Sequence, residues 1–346
     1  VQNNDKYEEY FDLYNNYAKA HNLGNRYLEL GEVVKQTKYY RLLYYSVSSS
    51  PFMSFPQKQE SSKNQSMDSR LCENELEEEH DIKTFLIVPS IFNSPEIFFL
   101  SRDKSFMDNL RSQGEVYLID WLEVQDPNYL LDDYVHKVVE MINDLGVGGI
   151  NLIGHCIGGN LAIAANVLMP KPIKTLTLLT CPWDFSHFSY IRMMHKYLKL
   201  DGYVENLPLI PKIHIQILFF LLFPDYFKIK LDKFFSLNER EQKLAFRIEN
   251  WLMSSHSIPS STYNQIMKNI LDENMFANLE WKINAVTIDP SLIDCPVNII
   301  IAEDDKIVSK SSILPLQKFL KNFKLVEVQG GHISYLINNR LSNIFC

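Results

Sequence analysis

The chain has 346 residues, 46% hydrophobic and 12% aromatic, enough to bury one large α/β core or two smaller ones. A net charge of −8 leaves no broadly basic surface and argues against a nucleic-acid partner. Five cysteines, Cys72, Cys156, Cys181, Cys295 and Cys346, show no paired or metal-binding spacing, which fits a reducing compartment and not a disulfide framework.

Residues 1–45 read as a helical segment. Tyr7, Tyr10, Phe11, Tyr14 and Tyr17 recur at helical spacing and suggest a packing face. Residues 46–81 read as a low-complexity acidic linker. Nine serines fall within 46–69, with Pro51 and Pro56, and Glu73–Asp81 is an acidic run that suits a solvated face. From residue 82 the texture becomes that of a catalytic domain, expected over 82–346. Thr84–Val88 is a continuous apolar run, as in a strand buried on both faces. A helix is expected at about 101–113, a strand at Val116–Ile119 and an amphipathic helix at Leu131–Leu145. Ile150–Ile153 and Leu176–Leu179 follow as buried strands. Between about 186 and 285 the alternation breaks into a helical, aromatic interval without a clear strand, expected to be an inserted cap. Its most apolar run, Ile213–Phe223, is too short to cross a membrane, carries His214 and Gln216, and reads as a buried cap helix. The alternation resumes with a strand at Val297–Ala302, a helix at Leu314–Asn322 and a strand at Leu325–Val328. Strands alternating with helices predict an α/β fold, a mostly parallel sheet flanked by helices. The chain opens on Val1 without a signal-peptide pattern, and a cytoplasmic location is expected.

One stretch carries chemistry. In Ile150–Asn160 an apolar strand ends at Gly154, Cys156 stands two residues later, and Gly158 and Gly159 open a helical pattern. This is the layout of the nucleophile elbow Gly-x-Ser-x-Gly, with cysteine in the serine position, and it predicts the α/β-hydrolase fold. A thiol nucleophile needs a base, and the base needs an acid to orient it. Among nine histidines His332 fits best, since it follows a predicted strand and two glycines. His155 is expected to point away from the turn and pack as a neighbour. The acid loop offers Glu303, Asp304 and Asp305. A small residue closes the strand at Ala302 and an apolar anchor follows, which selects Asp305 over Asp304. An oxyanion would need two backbone N–H groups. One is expected from Ile157, directly after the nucleophile, and the other from the loop after the first domain strand, at Ile91 or Phe92. A cysteine suits exchange between thioesters, because the acyl-enzyme stays activated for a second transfer. An apolar cap that excludes water would protect it.

With these residues in order, the sequence resembles the polyhydroxyalkanoate synthases, especially the short class III catalytic subunit, over roughly residues 82–335. The matching motifs are Gly154-His-Cys156-Ile-Gly158-Gly159, Val88-Pro89-Ser90-Ile91-Phe92-Asn93, Leu118-Ile119-Asp120-Trp121, Leu131-Asp132-Asp133-Tyr134, Cys181-Pro182-Trp183-Asp184-Phe185, Phe246-Arg247-Ile248-Glu249-Asn250-Trp251 and Gly330-Gly331-His332. Ala302-Glu303-Asp304-Asp305-Lys306-Ile307-Val308 aligns with the family's acid loop. Three positions depart from the pattern. Lys306 stands where the family usually has histidine, Ser309 where it has proline, and Ser90 where the oxyanion loop has proline. The resemblance implies polymerisation of (R)-3-hydroxyacyl-CoA, such as 3-hydroxybutyryl-CoA, into polyester with release of CoA. Cys156 would carry the chain and His332 would activate the thiol. Asp305 would orient His332 or help activate the incoming hydroxyl. It implies no metal and no cofactor beyond the CoA of the substrate, and a place at the polyester granule surface. It also implies a non-homologous second subunit, with homo-oligomerisation. Two rivals share the motif: a cysteine thioesterase or esterase of the same fold, and an inactive granule-binding scaffold.

Overall fold

The computed structural model describes residues 9–10, 12–16, 31–47, 82–100, 105–169, 171, 173–222, 232–337 and 341. At its centre is an eight-stranded sheet: β1 (Glu32–Gln36), β2 (Tyr40–Tyr45), β3 (Lys83–Val88), β4 (Gly114–Trp121), β5 (Ile150–His155), β6 (Ile173–Leu179), β11 (Val297–Ala302) and β12 (Phe323–Val328). The spatial order is β1-β2-β4-β3-β5-β6-β11-β12. Neighbours from β4 to β12 pair parallel, and the β1–β2 hairpin adds antiparallel to β4.

The apolar runs are continuous because both faces of the sheet are covered. Leu86 and Val88 of β3, with Ile150 and Leu152 of β5, pack into one core. Phe85, Ile87 and Ile153 pack into the other. Alternate side chains of a strand point to opposite faces, so a doubly buried strand shows no polar alternation. The crossover helices are α1 (Phe106–Arg111), α2 (Leu131–Leu145) and α3 (Ile157–Leu168). A capping box between Ser105 and Asp108 starts α1, and Gly146 at φ 60° ends α2.

Residues 31–45 correct the sequence reading. They are not helical but form β1 and β2, and Tyr40, Leu42, Leu43 and Tyr45 are buried in the sheet. The sheet therefore begins before residue 82. Aromatic and β-branched residues such as Val33, Val34, Tyr44 and Tyr45 favour a pleated surface, and this local preference overrides the tyrosine spacing further upstream. Residues 9–10 and 12–16 are helical, with Tyr10 packed on Phe234 and Phe246. Tyr7, Phe11 and Tyr17, and residues 48–81 of the expected linker, lie outside the described residues.

Between β6 and β11 the chain builds the cap over the carboxyl ends of the strands. It contains α4 (Ser189–Tyr197), α5 (Lys212–Leu222), α6 (Glu239–Leu252) and α7 (Ser260–Asn264), continued by π-helical turns over Gln265–Asp272. Two ribbons interrupt it: β7 (Leu209–Ile210) with β8 (Ile258–Pro259), and β9 (Lys282–Ile283) with β10 (Val286–Thr287). Each strand has two residues, too short to leave a period in the sequence. The helix expected at Leu314–Asn322 lies earlier, as α8 (Lys310–Ile313) and a 3-10 turn over Leu314–Lys318. A last short helix, α9 (Ser334–Ile337), follows β12. Among the described residues no helix is long and apolar enough to cross a membrane.

Candidate active site

The chain runs from β3 to β4 on one side of β3 and then returns to β5 on the other. In an open α/β sheet such a reversal leaves a crevice at the carboxyl ends of the strands. Cys156 stands there, one residue past β5, with φ 53° and ψ −129°. Positive φ is costly for a non-glycine residue and persists where the surroundings enforce it. Here the Cys156 N–H donates to Leu179 O at 2.9 Å, and its carbonyl accepts from Gly159 N at 2.9 Å. The flanking glycines are steric requirements. A β-carbon on Gly154 would lie 2.5 Å from Gly159 Cα, and one on Gly158 would enter the carbonyls of Val88 and Pro89.

The loops after β11 and β12 bring Asp305 and His332 together. Asp305 Oδ1 accepts from the N–H groups of Ile307 and Val308, both at 2.8 Å, and Oδ2 accepts from His332 Nδ1 at 2.7 Å. The main chain thus fixes one oxygen and leaves the other for the imidazole. Asp304 instead ties the two loops together, its N–H donating to Gly330 O at 2.9 Å. Gly330, at φ 117°, and the bond from Gly331 N to Ser334 Oγ at 2.6 Å turn the chain back so that His332 faces the elbow. With Nδ1 engaged by Asp305, Nε2 is left for Cys156, which lines the same cavity as His332. Burial disfavours a charged ring here. The charge and hydrogen bond of Asp305 and the neighbouring Cys156 side chain outweigh it, so the His332 pKa is pushed up to about 10.

His155 is 2% exposed. Its ring lies 5.4 Å from that of His332 and 5.8 Å from that of Phe98. Burial, and then the charge on His332, push its pKa well down, so the ring is neutral. It packs against the His332 ring.

Cys156 lies between two cavities. One, of about 270 Å3, has a mainly apolar surface with polar groups around it, and is lined by Asn93, His155, Trp251, Asp304 and His332 among others. The other, of about 110 Å3, is apolar and is lined by Phe92, Ile157, Phe188, Ile191, Ile215 and Met267 among others. Ile157 is the first residue of α3, and the Phe92 N–H donates weakly to Ser90 Oγ at 3.4 Å. Ile91 is fully buried in the core.

Residues 108–338 match the family model for the alpha/beta hydrolase fold. The chain belongs to the α/β-hydrolase fold family. Within it, the chain is similar to the poly(3-hydroxyalkanoate) polymerase subunit PhaC of Haloferax mediterranei, 26% identical over 284 residues, covering 78% of this chain and 58% of that protein. It is likewise 26% identical over 271 residues to the subunit of Thiocystis violacea, covering 74% of this chain and 76% of that one. The chain spans less than two thirds of the length of the Haloferax relative. Among solved structures, a meta-cleavage product hydrolase from Pseudomonas fluorescens superposes with a TM-score of 0.51 at 13% identity, covering 90% of this chain and 96% of that one, a likeness of fold.

Within this α/β-hydrolase, the sequence did not disclose how the cap grips the loop after β3. Trp251 Nε1 donates to Ser94 O at 2.8 Å, and Asn93 Nδ2 donates to Trp251 O at 3.2 Å. These partners lie about 160 residues apart, so no local pattern announces them. The motif around Phe246–Trp251 was the available signal. A second such feature is Tyr263, whose hydroxyl lies 2.6 Å from His195 Nε2 and 2.8 Å from His214 Nε2 inside the cap.

Proposed function

We propose that the protein is an acyltransferase that polymerises (R)-3-hydroxyacyl-CoA thioesters through a covalent thioester on Cys156. The observation that carries the reading is a strained cysteine that shares a cavity with a histidine oriented by a carboxylate, with an apolar cavity on its other side. Similarity to polymerase subunits supports the choice of substrate.

In the first half-reaction His332 takes the thiol proton of Cys156. The raised affinity of its ring for a proton favours that transfer. The sulfur adds to the thioester carbonyl, and the oxyanion is held by the N–H of Ile157 and one from Ile91 or Phe92. CoA leaves as its thiol with the proton from His332. The acyl chain then occupies the apolar cavity, away from water. In the second half-reaction the 3-hydroxyl of another acyl unit gives its proton to His332 and attacks the acyl-enzyme. An ester forms and the Cys156–acyl bond breaks. Asp305 keeps His332 in the productive tautomer throughout. No cofactor takes part beyond the CoA of the substrate. A second subunit, self-association and a location at a polyester surface belong to the same proposal.

Incubation with 3-hydroxybutyryl-CoA tests it. The expected products are free CoA and an insoluble polyester. Free CoA with monomeric 3-hydroxybutyrate would make the protein a thioesterase instead.

A further inference from the structure

The loop after β3 is held less by its own strand than by the cap. The hydroxyl of Ser254 lies 3.1 Å from Ser94 Oγ and accepts the Ser94 N–H at 3.5 Å, while donating to Trp251 O at 2.6 Å. Trp251 Nε1 holds Ser94 O, and Asn93 Nδ2 spans Trp251 O and Leu252 O at 3.2 and 3.4 Å. One turn earlier in α6, Arg247 Nη2 donates to Phe99 O at 3.0 Å, its Nη1 reaches Leu100 O, and the guanidinium lies 3.6 Å from Glu96. The segment from Asn93 to Leu100 is therefore stapled along its length by α6 and the turn after it. From the sheet side it has a further tie, Trp121 Nε1 to Pro89 O at 3.2 Å.

We infer that Trp251 and Ser254 are positioning residues for the oxyanion loop, so that the second oxyanion donor is in place only while the cap is seated. The inference rests on the proposed acyl-transfer role of Cys156. An oxyanion donor acts only if it already points to where negative charge will develop, and displacement by an ångström forfeits much of its effect. Neither Trp251 nor Ser254 need touch the reacting atoms. They fix the carbonyl and amide of Ser94, and through Asn93 the backbone immediately after Phe92. Lifting the cap would break these bonds and release the oxyanion loop from its present position.

Two reactions of the same thiol separate positioning from a general structural role. Alkylation of Cys156 by iodoacetamide displaces iodide at a saturated carbon and forms no oxyanion. Acylation by 3-hydroxybutyryl-CoA passes through one. In Trp251→Phe and Ser254→Ala the acylation rate in a single turnover is expected to fall by about tenfold to a hundredfold. In Ser254→Ala, which lies outside the cavity lining, the alkylation rate should stay within about twofold, and Ser254→Thr, which keeps the hydroxyl, should restore acylation. Unchanged acylation would overturn the inference. An equal fall in both reactions would also overturn it, since that marks a structural defect. Acylation by p-nitrophenyl acetate, read as the burst of nitrophenol, keeps the test separate from the substrate proposal. If wild type releases no CoA from 3-hydroxybutyryl-CoA, the polymerase reading fails, while the same contrast against p-nitrophenyl acetate still decides the role of the latch.

Discussion

His332 holds its proton more tightly in the folded protein than in the unfolded chain, with a pKa moved from 6.5 to about 10. Below about 6.5 both states carry the proton, and the attraction to Asp305 contributes in full. As pH rises from 6.5 through 10 the unfolded chain has already lost the proton, the folded protein then loses it too, and that stabilisation drains away. The melting temperature should therefore decline across this window, and Asp305→Asn should flatten the decline in the same thermal scans. Gly158 gives a steric prediction at the same scale. In Gly158→Ala the added methyl would meet the carbonyls of Val88 and Pro89, which are main chain and cannot swing aside. A cost of about 1–3 kcal/mol in urea unfolding is expected, with loss of Cys156 acylation because the displaced backbone leads into the oxyanion loop. The turn itself was legible in the sequence, since Gly154, Cys156 and Gly158 sit at fixed offsets. The choice of Asp305 over Asp304 followed from the loop pattern, and the structure brings Asp305 to His332. The oxyanion donors were poorly legible because a backbone N–H carries no side-chain signature.

Among elements, the strands of the parallel sheet were readable as runs, since burial on both faces removes polar residues from them. The cap was readable only as an interruption. Its organisation depends on contacts such as Tyr263 with His195 and His214, which join α7, α4 and α5 across 49 to 68 positions. Burial lowers the pKa of both histidines, so both rings are neutral at neutral pH and rely on the tyrosine hydroxyl for a hydrogen bond. Tyr263→Phe leaves two buried ring nitrogens without it. An unsatisfied buried polar group costs about 1–3 kcal/mol, and urea denaturation should show a loss of at least that size. Ile215 and Met267 line the apolar cavity beside the same elements, so the variant should also slow acylation by a hydroxyacyl-CoA more than alkylation by iodoacetamide.

For the whole molecule, the boundary of the folded unit is the point at which the sequence reading was incomplete. The β1–β2 hairpin was taken for helix and set apart from the catalytic domain. It closes one side of β4, and Lys35 reaches across to Glu140 at 2.6 Å and Asp144 at 2.5 Å on α2. Tyr40 Oη adds a bond to Glu140 at 3.1 Å. The buried side chains matter more than these part-exposed ion pairs. Full burial of a large apolar side chain contributes about 1.5–3 kcal/mol, so Tyr40, Leu42, Leu43 and Tyr45 together contribute on the order of 6 kcal/mol. A chain begun at Ile82 would lose this and expose the β4 edge, and aggregation on expression is expected, read as the soluble fraction. If that chain is soluble and melts at the wild-type temperature, the hairpin is an accessory to the domain and not part of it.

Trapping of the acyl-enzyme bears most directly on the central claim. Wild type, mixed briefly with 3-hydroxybutyryl-CoA and quenched in acid, is digested and examined by mass spectrometry. The account predicts one or more 3-hydroxybutyryl units on the peptide that contains Cys156, labile to hydroxylamine as a thioester is, and none in Cys156→Ala. Release of CoA without a Cys156 adduct, or with equal CoA release from Cys156→Ala, would contradict it.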